Sequence, residues 1–373
     1  MNVNSLIYGI LAVLLAGLLT FTLTPPVRVL AHKLGAIDVP TDQRRMHKKP
    51  IPRMGGLAIF ISFTLSILLF CEINLQVLGL IVGTTVIVIL GMLDDVYRLN
   101  AWIKLLIQIC AASVAPLTGT TIEFINFFGN YVVFDKVMSF VVTVFWIVAV
   151  TNAVNLVDGL DGLACGISTI SAFSIMIVAI LQLDYTVAII VAILAGSCLG
   201  FLPYNRNPAV IFMGDTGALF LGYALSVVSI LGLFKMDAIV SFWIPFLIFG
   251  LPLADTLFAT IRRLVHRQPI FAPDRGHFHH KLIDIGFTQK QAVTILDSVS
   301  AMFAVSAITF SEGKTVVSVL IIIVSFVIGI LNYRILVGDA KMRTQTGLRL
   351  KNYLQGHEEN TPVGEETNIN EKE

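Results

Sequence analysis

From its first residues to about position 336 the chain alternates between long apolar runs and short polar connections. A helix rises 1.5 Å per residue, so about 20 apolar residues cross the hydrocarbon of a bilayer. Eleven stretches reach that length: about 5–27, 55–71, 76–93, 101–118, 137–154, 163–181, 185–203, 216–234, 238–261, 291–310 and 314–336. The pattern predicts an all-α integral membrane protein with about eleven transmembrane helices. The first run starts at Ser5 with no basic leader and reaches Pro25-Pro26, so a span is expected there, not a removable signal peptide. Residues 119–136 are β-branched and aromatic around a Gly-Asn pair, which predicts a small β-hairpin on the outer face.

Charge placement orients the spans. Twenty-two of the 25 Lys and Arg residues fall in alternate connections and the C-terminal segment; only Lys136, Lys235 and Lys314 fall on the other side. By the positive-inside rule the N-terminus is outside, the C-terminus cytoplasmic, and the loops 28–54, 94–104, 151–163, 203–217 and 262–290 cytoplasmic. Residues 1–336 then form one polytopic membrane domain. Residues 337–373 form a cytoplasmic tail, expected to be disordered from about 351, where six glutamates meet few large apolar groups.

Composition narrows the class. Hydrophobic residues make up 56% of the chain and charged residues 13%, against about 25% charged in an ordinary soluble domain. That excludes a soluble globular enzyme, a disordered chain and a nucleic-acid binder. The formal net charge of +1 points to no partner. Cys71, Cys110, Cys165 and Cys198 lie singly in apolar runs, indicating neither a disulfide framework nor a zinc site.

The ionisable residues near the membrane are costly and carry the chemistry. Four clusters fall at cytoplasmic span ends. Asp94 and Asp95 close the third span, where adjacent carboxylates repel each other and face the negative end of the helix dipole. A cation or a shared proton would stabilise them, while a solvated helix end is the plain alternative. Lys104 follows and is able to meet phosphate as a point charge. In NAVNLVDGLDGL, residues 152–163, Asn152, Asn155, Asp158 and Asp161 recur every third residue, so a helical turn would stack them on one face. Such oxygen-only donors suit magnesium, with manganese as a substitute.

Met213-Gly214-Asp215-Thr216-Gly217 precedes the eighth span; Asp215 or Thr216 would cap that helix, or the helix N-terminus would receive a phosphate oxygen. Finally, PIFAPDRGHFHHKL at 269–282 offers Arg275 as a fork for a diphosphate. His277, His279 and His280 there are read as donors to phosphate or sugar, since no further ligand completes a zinc site. Asp255 and Asp297 lie within spans as interior polar contacts.

Carboxylates, amides and cations at one membrane face suit phosphoryl transfer between a soluble nucleotide and a lipid. Asp94-Asp95, NAVNLVDGLDGL, the GDTG turn and PDRGHFHHKL together resemble the signature regions of the polyprenyl-phosphate N-acetylhexosamine-1-phosphate transferases, in order over about residues 28–290. The pattern is most similar to the bacterial undecaprenyl-phosphate N-acetylglucosamine-1-phosphate branch. The branch that transfers phospho-N-acetylmuramoyl-pentapeptide carries three consecutive histidines, whereas this chain has His277-Phe278-His279-His280.

The resemblance implies Asn155 and Asp215 as magnesium ligands, Asp161 as a contact to uracil, and Lys104 and Arg275 as diphosphate-binding cations. It implies Asp94 and Asp95 as the pair acting near the lipid phosphate, with Arg53 bearing on sugar choice. The expected substrates are a UDP-sugar, N-acetylglucosamine or another N-acetylhexosamine, and undecaprenyl phosphate in the bilayer. The expected place is a bacterial cell membrane, at the start of a teichoic acid or O-antigen type of wall glycan. Direct attack by the lipid phosphate and a two-step route through an aspartyl-phosphate both remain open. So does a homodimer. A transporter is the rival class; it calls for charges at the bilayer midplane and inverted repeats, and neither is visible in the sequence.

Overall fold

The computed structural model describes residues 3–40, 49–127, 130–233, 243–268, 276–325 and 327. Residues 1–325 form one compact unit, and everything below concerns that unit. The acidic tail and the second half of the last expected span belong to a second unit and, but for residue 327, lie outside the described residues.

The helices are α1 (Val3–Lys33), α2 (Gly56–Phe70), α3 (Leu75–Tyr97), α4 (Ala101–Leu117), α5 (Lys136–Val157), α6 (Leu163–Leu181), α7 (Tyr185–Asn205), α8 (Gly214–Gly232), α9 (Trp243–Ile248), α10 (Gly250–Val265), α11 (Phe278–Asp284), α12 (Gln289–Ser311) and α13 (Thr315–Ser325). Seven are long and apolar enough to cross a membrane: α1, α3, α5, α6, α7, α8 and α12. The shorter apolar helices α2, α4 and α13 coincide with three further runs of the sequence pattern. The ninth run departs from expectation. Its described part is two helices, α9 and α10, interrupted at Phe249.

The helix starts follow local chemistry. Asn74, Asn100, Asp135 and Asp184 each accept a backbone N–H from the first turn of α3, α4, α5 and α7, and Thr288 with Gln291 forms a capping box on α12. One boundary differs from the sequence reading: α1 passes through Pro25 and Pro26 to Lys33, so Arg28 and Lys33 sit on a helix, not in a loop. Around this break, Thr20 and Thr24 hydroxyls donate to carbonyls one turn back, Ala16 at 3.0 Å and Thr20 at 2.7 Å.

Helix α8 occupies the centre and is buried along almost its whole length. Helices α2, α3, α5 and α6 pack around it, α7 joins α6 to α1, and α12 closes the far side of α6. Small residues allow the close crossings: a Cβ on Gly17 of α1 would lie 3.1 Å from the carbonyl oxygen of Gly196 in α7. Interhelical hydrogen bonds add specificity, from the Tyr223 hydroxyl to the Ala111 carbonyl (2.9 Å) and from Trp146 Nε1 to Ser229 Oγ (3.1 Å). The outer helices leave Leu14, Leu18, Leu69, Leu106 and Phe145 exposed, as a surface bathed by lipid tails requires.

Two small antiparallel pairs complete the fold. β1 (Ile37–Asp38) pairs with β2 (Ile51–Pro52), which the sequence pattern does not announce, and β3 (Phe124–Phe127) pairs with β4 (Asn130–Val133), where the hairpin is expected. Thr143 of α5 accepts the N–H of Ile122 and ties that hairpin to the bundle.

Candidate active site

Helices α3, α4, α5 and α8 bring their polar ends to one place. Lys104, in the first turn of α4, sets its Nζ 2.7 Å from Asp94 Oδ2 and 3.1 Å from Asp215 Oδ1. Asn155, in the last turn of α5, donates to the same Asp215 oxygen at 2.5 Å. Asp94 reaches Lys104 because the chain turns sharply between α3 and α4: Arg98 adopts a left-handed conformation, and Leu99 N–H closes on Asp94 Oδ1 at 2.8 Å. Asp94, Lys104, Asn155 and Asp215 therefore form one contact network from four helices.

Asp95 plays another part. Its Oδ1 accepts the N–H of Asp215 (3.0 Å), and its Oδ2 accepts the N–H (3.0 Å) and hydroxyl (2.7 Å) of Thr216. The residue before α8, Met213, supplies no side-chain cap. Asp95 thus caps α8 from the neighbouring helix, where its charge complements the positive end of the dipole. Asp94 and Asp95 therefore have different partners: both Asp95 oxygens are engaged by the start of α8, Oδ1 by Asp215 and Oδ2 by Thr216. Gly214, at φ 71°, lets the backbone turn into α8 beside this carboxylate.

Arg53 follows β2 and reaches the same centre. Gly55 N–H and Gly56 N–H donate to the carbonyls of Phe212 and Met213, and Phe212 N–H donates to Pro52, so this segment lies over the start of α8. Arg53 Nε is 3.5 Å from Asp95 Oδ1. Burial works against its charge, yet Asp95, Asp215, Asp38 and Asp158 together hold the guanidinium above its ordinary pKa. Beside it, Asp158 follows the end of α5. Burial, then the charge of Asp215, pushes its carboxyl up to about 8 against the pull of Arg53.

A cavity of about 1080 Å³ opens next to this network, with Arg53, Asp158, Asp161 and His280 among its lining. Asp161 also holds the wall: its Oδ2 accepts from Asn207 Nδ2 at 3.0 Å and from Ala209 N–H at 3.1 Å.

Three sequence expectations resolve differently in space. Asn152 faces α4, exchanging hydrogen bonds with Gln108 (2.7 and 3.4 Å) and donating to Val148 O at 2.8 Å, so it keys two helices together and stands outside the network. The idea of one face carrying all four residues of 152–161 fails because α5 ends at Val157, before Asp158 and Asp161. His277 is buried and turned to Asp255, with Nδ1 2.9 Å from Asp255 Oδ2, while Asp255 Oδ1 accepts Phe278 N–H at 2.9 Å. His279 is also buried; its ring stacks on His277 with centroids 5.8 Å apart and lies over Gly159, and burial, then His280 and His277, lowers its pKa to about 4. Of the three histidines only His280 lines the cavity. Arg275 lies outside the described residues.

Gln108 is a position that sequence reading missed; it sits four residues after Lys104 and would have stood out as a polar residue inside an apolar helix. Asp255, expected as an interior polar contact, is one, and it holds His277.

Lys104 already places a positive charge between Asp94 and Asp215, so these oxygens surround a point that suits a cation. Exchanging the Asn155 amide atoms would present an oxygen beside Asp215 without changing its shape. Among the described residues no group of three His, Cys, Asp or Glu forms a closed metal cage. An ion held by one or two protein oxygens and completed by water and phosphate, as magnesium is, fits that arrangement.

The model for glycosyl transferase family 4 matches residues 77–233, the stretch that carries Asp94, Lys104, Asn155 and Asp215. A probable undecaprenyl-phosphate N-acetylglucosaminyl 1-phosphate transferase of Bacillus subtilis is 40% identical over 319 residues, covering 84% of this chain and 88% of that protein. The chain belongs to glycosyl transferase family 4. Among other relatives of this glycosyl transferase, the decaprenyl-phosphate N-acetylglucosaminephosphotransferase of Mycobacterium tuberculosis is 35% identical over 336 residues, covering 81% of this chain and 83% of its own. The undecaprenyl-phosphate alpha-N-acetylglucosaminyl 1-phosphate transferase of Thermotoga maritima is 35% identical over 290 residues, covering 77% and 86%.

Proposed function

We propose that the protein transfers N-acetylglucosamine 1-phosphate from UDP-N-acetylglucosamine to undecaprenyl phosphate in the cell membrane and releases UMP. The single observation that carries this reading is the meeting of Asp94, Lys104, Asn155 and Asp215 at adjoining ends of four helices, beside a cavity large enough for a nucleotide sugar. The names of the relatives supply the substrate class. The positive-inside distribution of Lys and Arg supports a cytoplasmic position for this end of the bundle, where nucleotide sugars are available.

In the reaction, an oxygen of the lipid phosphate attacks the β-phosphorus of the UDP-sugar. The bond from that phosphorus to the bridging oxygen breaks, and the electron pair leaves with UMP. Lys104 changes partner, from the two carboxylates to the diphosphate, and balances its charge. Asp94 orients the incoming lipid phosphate; that phosphate, with a second pKa of about 6, is already largely ionised at neutral pH and needs no strong base. Asp95 keeps Asp215 in place through the α8 cap. Asp158, carrying a proton at neutral pH, donates a hydrogen bond into the cavity, and Asp161 and His280 flank the nucleotide and sugar. Magnesium would be held by Asp215 and Asn155, and when bound it withdraws charge from the diphosphate.

This reading assigns direct displacement over an aspartyl-phosphate, because Asp95 is occupied in capping and one oxygen of Asp94 is occupied by Leu99 N–H. The product lipid is the starting unit of a wall glycan of the teichoic acid or O-antigen type. The test is UMP release by purified protein given undecaprenyl phosphate and a panel of UDP-sugars with magnesium. Turnover with UDP-N-acetylglucosamine is expected, and turnover with a different sugar alone would overturn the assignment.

A further inference from the structure

Lys104 and Arg53 face carboxylates, but two basic side chains of α1 do not. Arg28 and His32 lie one turn apart on that helix, and among the described residues neither side chain makes a hydrogen bond or ion pair with another. Together with Thr24, Pro25, Val29 and Tyr204 they line a separate cavity of about 360 Å³ between α1 and the end of α7. No carboxylate is in that lining. Arg28 and His32 also border the larger cavity, so the two spaces adjoin.

The rest of the lining has a different character. Val29 is 56% exposed, and Phe21, about two turns further into the span, is 45% exposed with its ring 5.1 Å from that of Tyr204. An aromatic residue at the span end, a guanidinium with an imidazole one turn on, and an apolar flank running toward the hydrocarbon are what a lipid phosphate meets at a membrane interface. None of Asp94, Lys104, Asn155 or Asp215 borders this small cavity.

We propose that the cavity between α1 and α7 binds the phosphate of an anionic phospholipid, with Arg28 as its counter-charge, His32 as a hydrogen-bond donor and Phe21 and Val29 against its acyl chains. The bound lipid is a resident of the bilayer, distinct from the polyprenyl phosphate that reacts. Because Arg28 and His32 are shared with the wall of the larger cavity, the lipid also fixes that wall. The proposal does not depend on the transfer reaction.

The experiment is lipid titration of the purified full chain in nanodiscs and detergent, followed by native mass spectrometry. Wild-type protein is expected to retain phosphatidylglycerol in preference to phosphatidylcholine. Arg28→Gln/His32→Gln is expected to weaken that retention at least about fivefold, the worth of the one Arg28 charge near a membrane surface. Lys136→Gln, at the opposite end of the bundle, should leave it unchanged, and Arg28→Lys should restore most of it in a His32 background. Equal retention by the double variant, equal retention of phosphatidylcholine, or loss in Arg28→Lys as severe as in Arg28→Gln would overturn the site. One-for-one displacement of phosphatidylglycerol by polyprenyl phosphate would overturn its occupant.

Discussion

Asp95 of α3 accepts both the backbone N–H and the hydroxyl of Thr216 through one oxygen, at 3.0 and 2.7 Å, across 121 positions of sequence. The carboxylate next to it in the chain, Asp94, instead faces Lys104 at 2.7 Å. Two adjacent aspartates on one helix end point to different neighbours, so they should respond differently to the same substitution.

Asp94→Asn is expected to abolish UMP release while leaving thermal stability near that of the wild type. Asp95→Ala should lower stability by about 1–3 kcal/mol, as lost charge-assisted hydrogen bonds and an uncapped helix start require, and activity should fall with it. Thermal unfolding alongside single-turnover UMP release separates the two. Equal destabilisation by both substitutions would remove the distinction.

Asp215→Asn should reduce turnover by at least about 10²-fold, since it alters the oxygen that meets both Lys104 and Asn155. Manganese binding followed by electron paramagnetic resonance in the absence of substrate should weaken in parallel. A variant with unchanged manganese affinity would take Asp215 out of the ion site.

His279 is held near a pKa of about 4 in the folded chain, against about 6.5 in an unfolded one. A depressed histidine stabilises the fold above pH 6.5, and that contribution drains away as the pH falls from 6.5 toward 4, because the unfolded chain takes up the proton first. His279→Gln should flatten the acid limb of stability over that window. Asp158 works in the opposite direction: its carboxyl titrates near 8 in the fold and near 3.9 when unfolded, so its contribution is present below pH 4 and lost as pH rises to 8. Asp158→Asn should therefore stabilise the protein at pH 8–9 and leave it unchanged at pH 4. Melting temperatures across pH 4–9 check both.

Gly56 and Gly217 bring α2 and α8 into backbone contact, and a Cβ on Gly56 would collide with Gly217 Cα and N. Gly56→Ala should cost about 1–3 kcal/mol or more by overpacking and separate the Arg53 segment from α8. Reduced stability together with a raised KM for the nucleotide sugar is the expected pair of readouts.

Much of this was legible before folding. A transmembrane helix must be apolar for about 20 residues, and its polar ends must repay their desolvation, so hydropathy announced most of the helices and the charged clusters at their ends announced Asp94, Lys104, Asn155 and Asp215. The spacing argument for 152–161 went too far because it extended a helical face past Val157, where the helix stops. The break at Phe249 was equally hidden, since an apolar run reads the same whether one helix or two carry it.

The linear order of residues thus carried the membrane class, the hairpin at 124–133 and the inventory of oxygen and nitrogen donors, because each of these depends on near neighbours along the chain. The assignment of partners came only with packing. Asp95 on Thr216, Asn152 on Gln108 and His277 on Asp255 join residues 22 to 121 positions apart. Hydropathy is a property of segments, whereas a hydrogen bond depends on where two helices cross and which way each has rotated, and that is settled by the close contacts of their small residues in three dimensions.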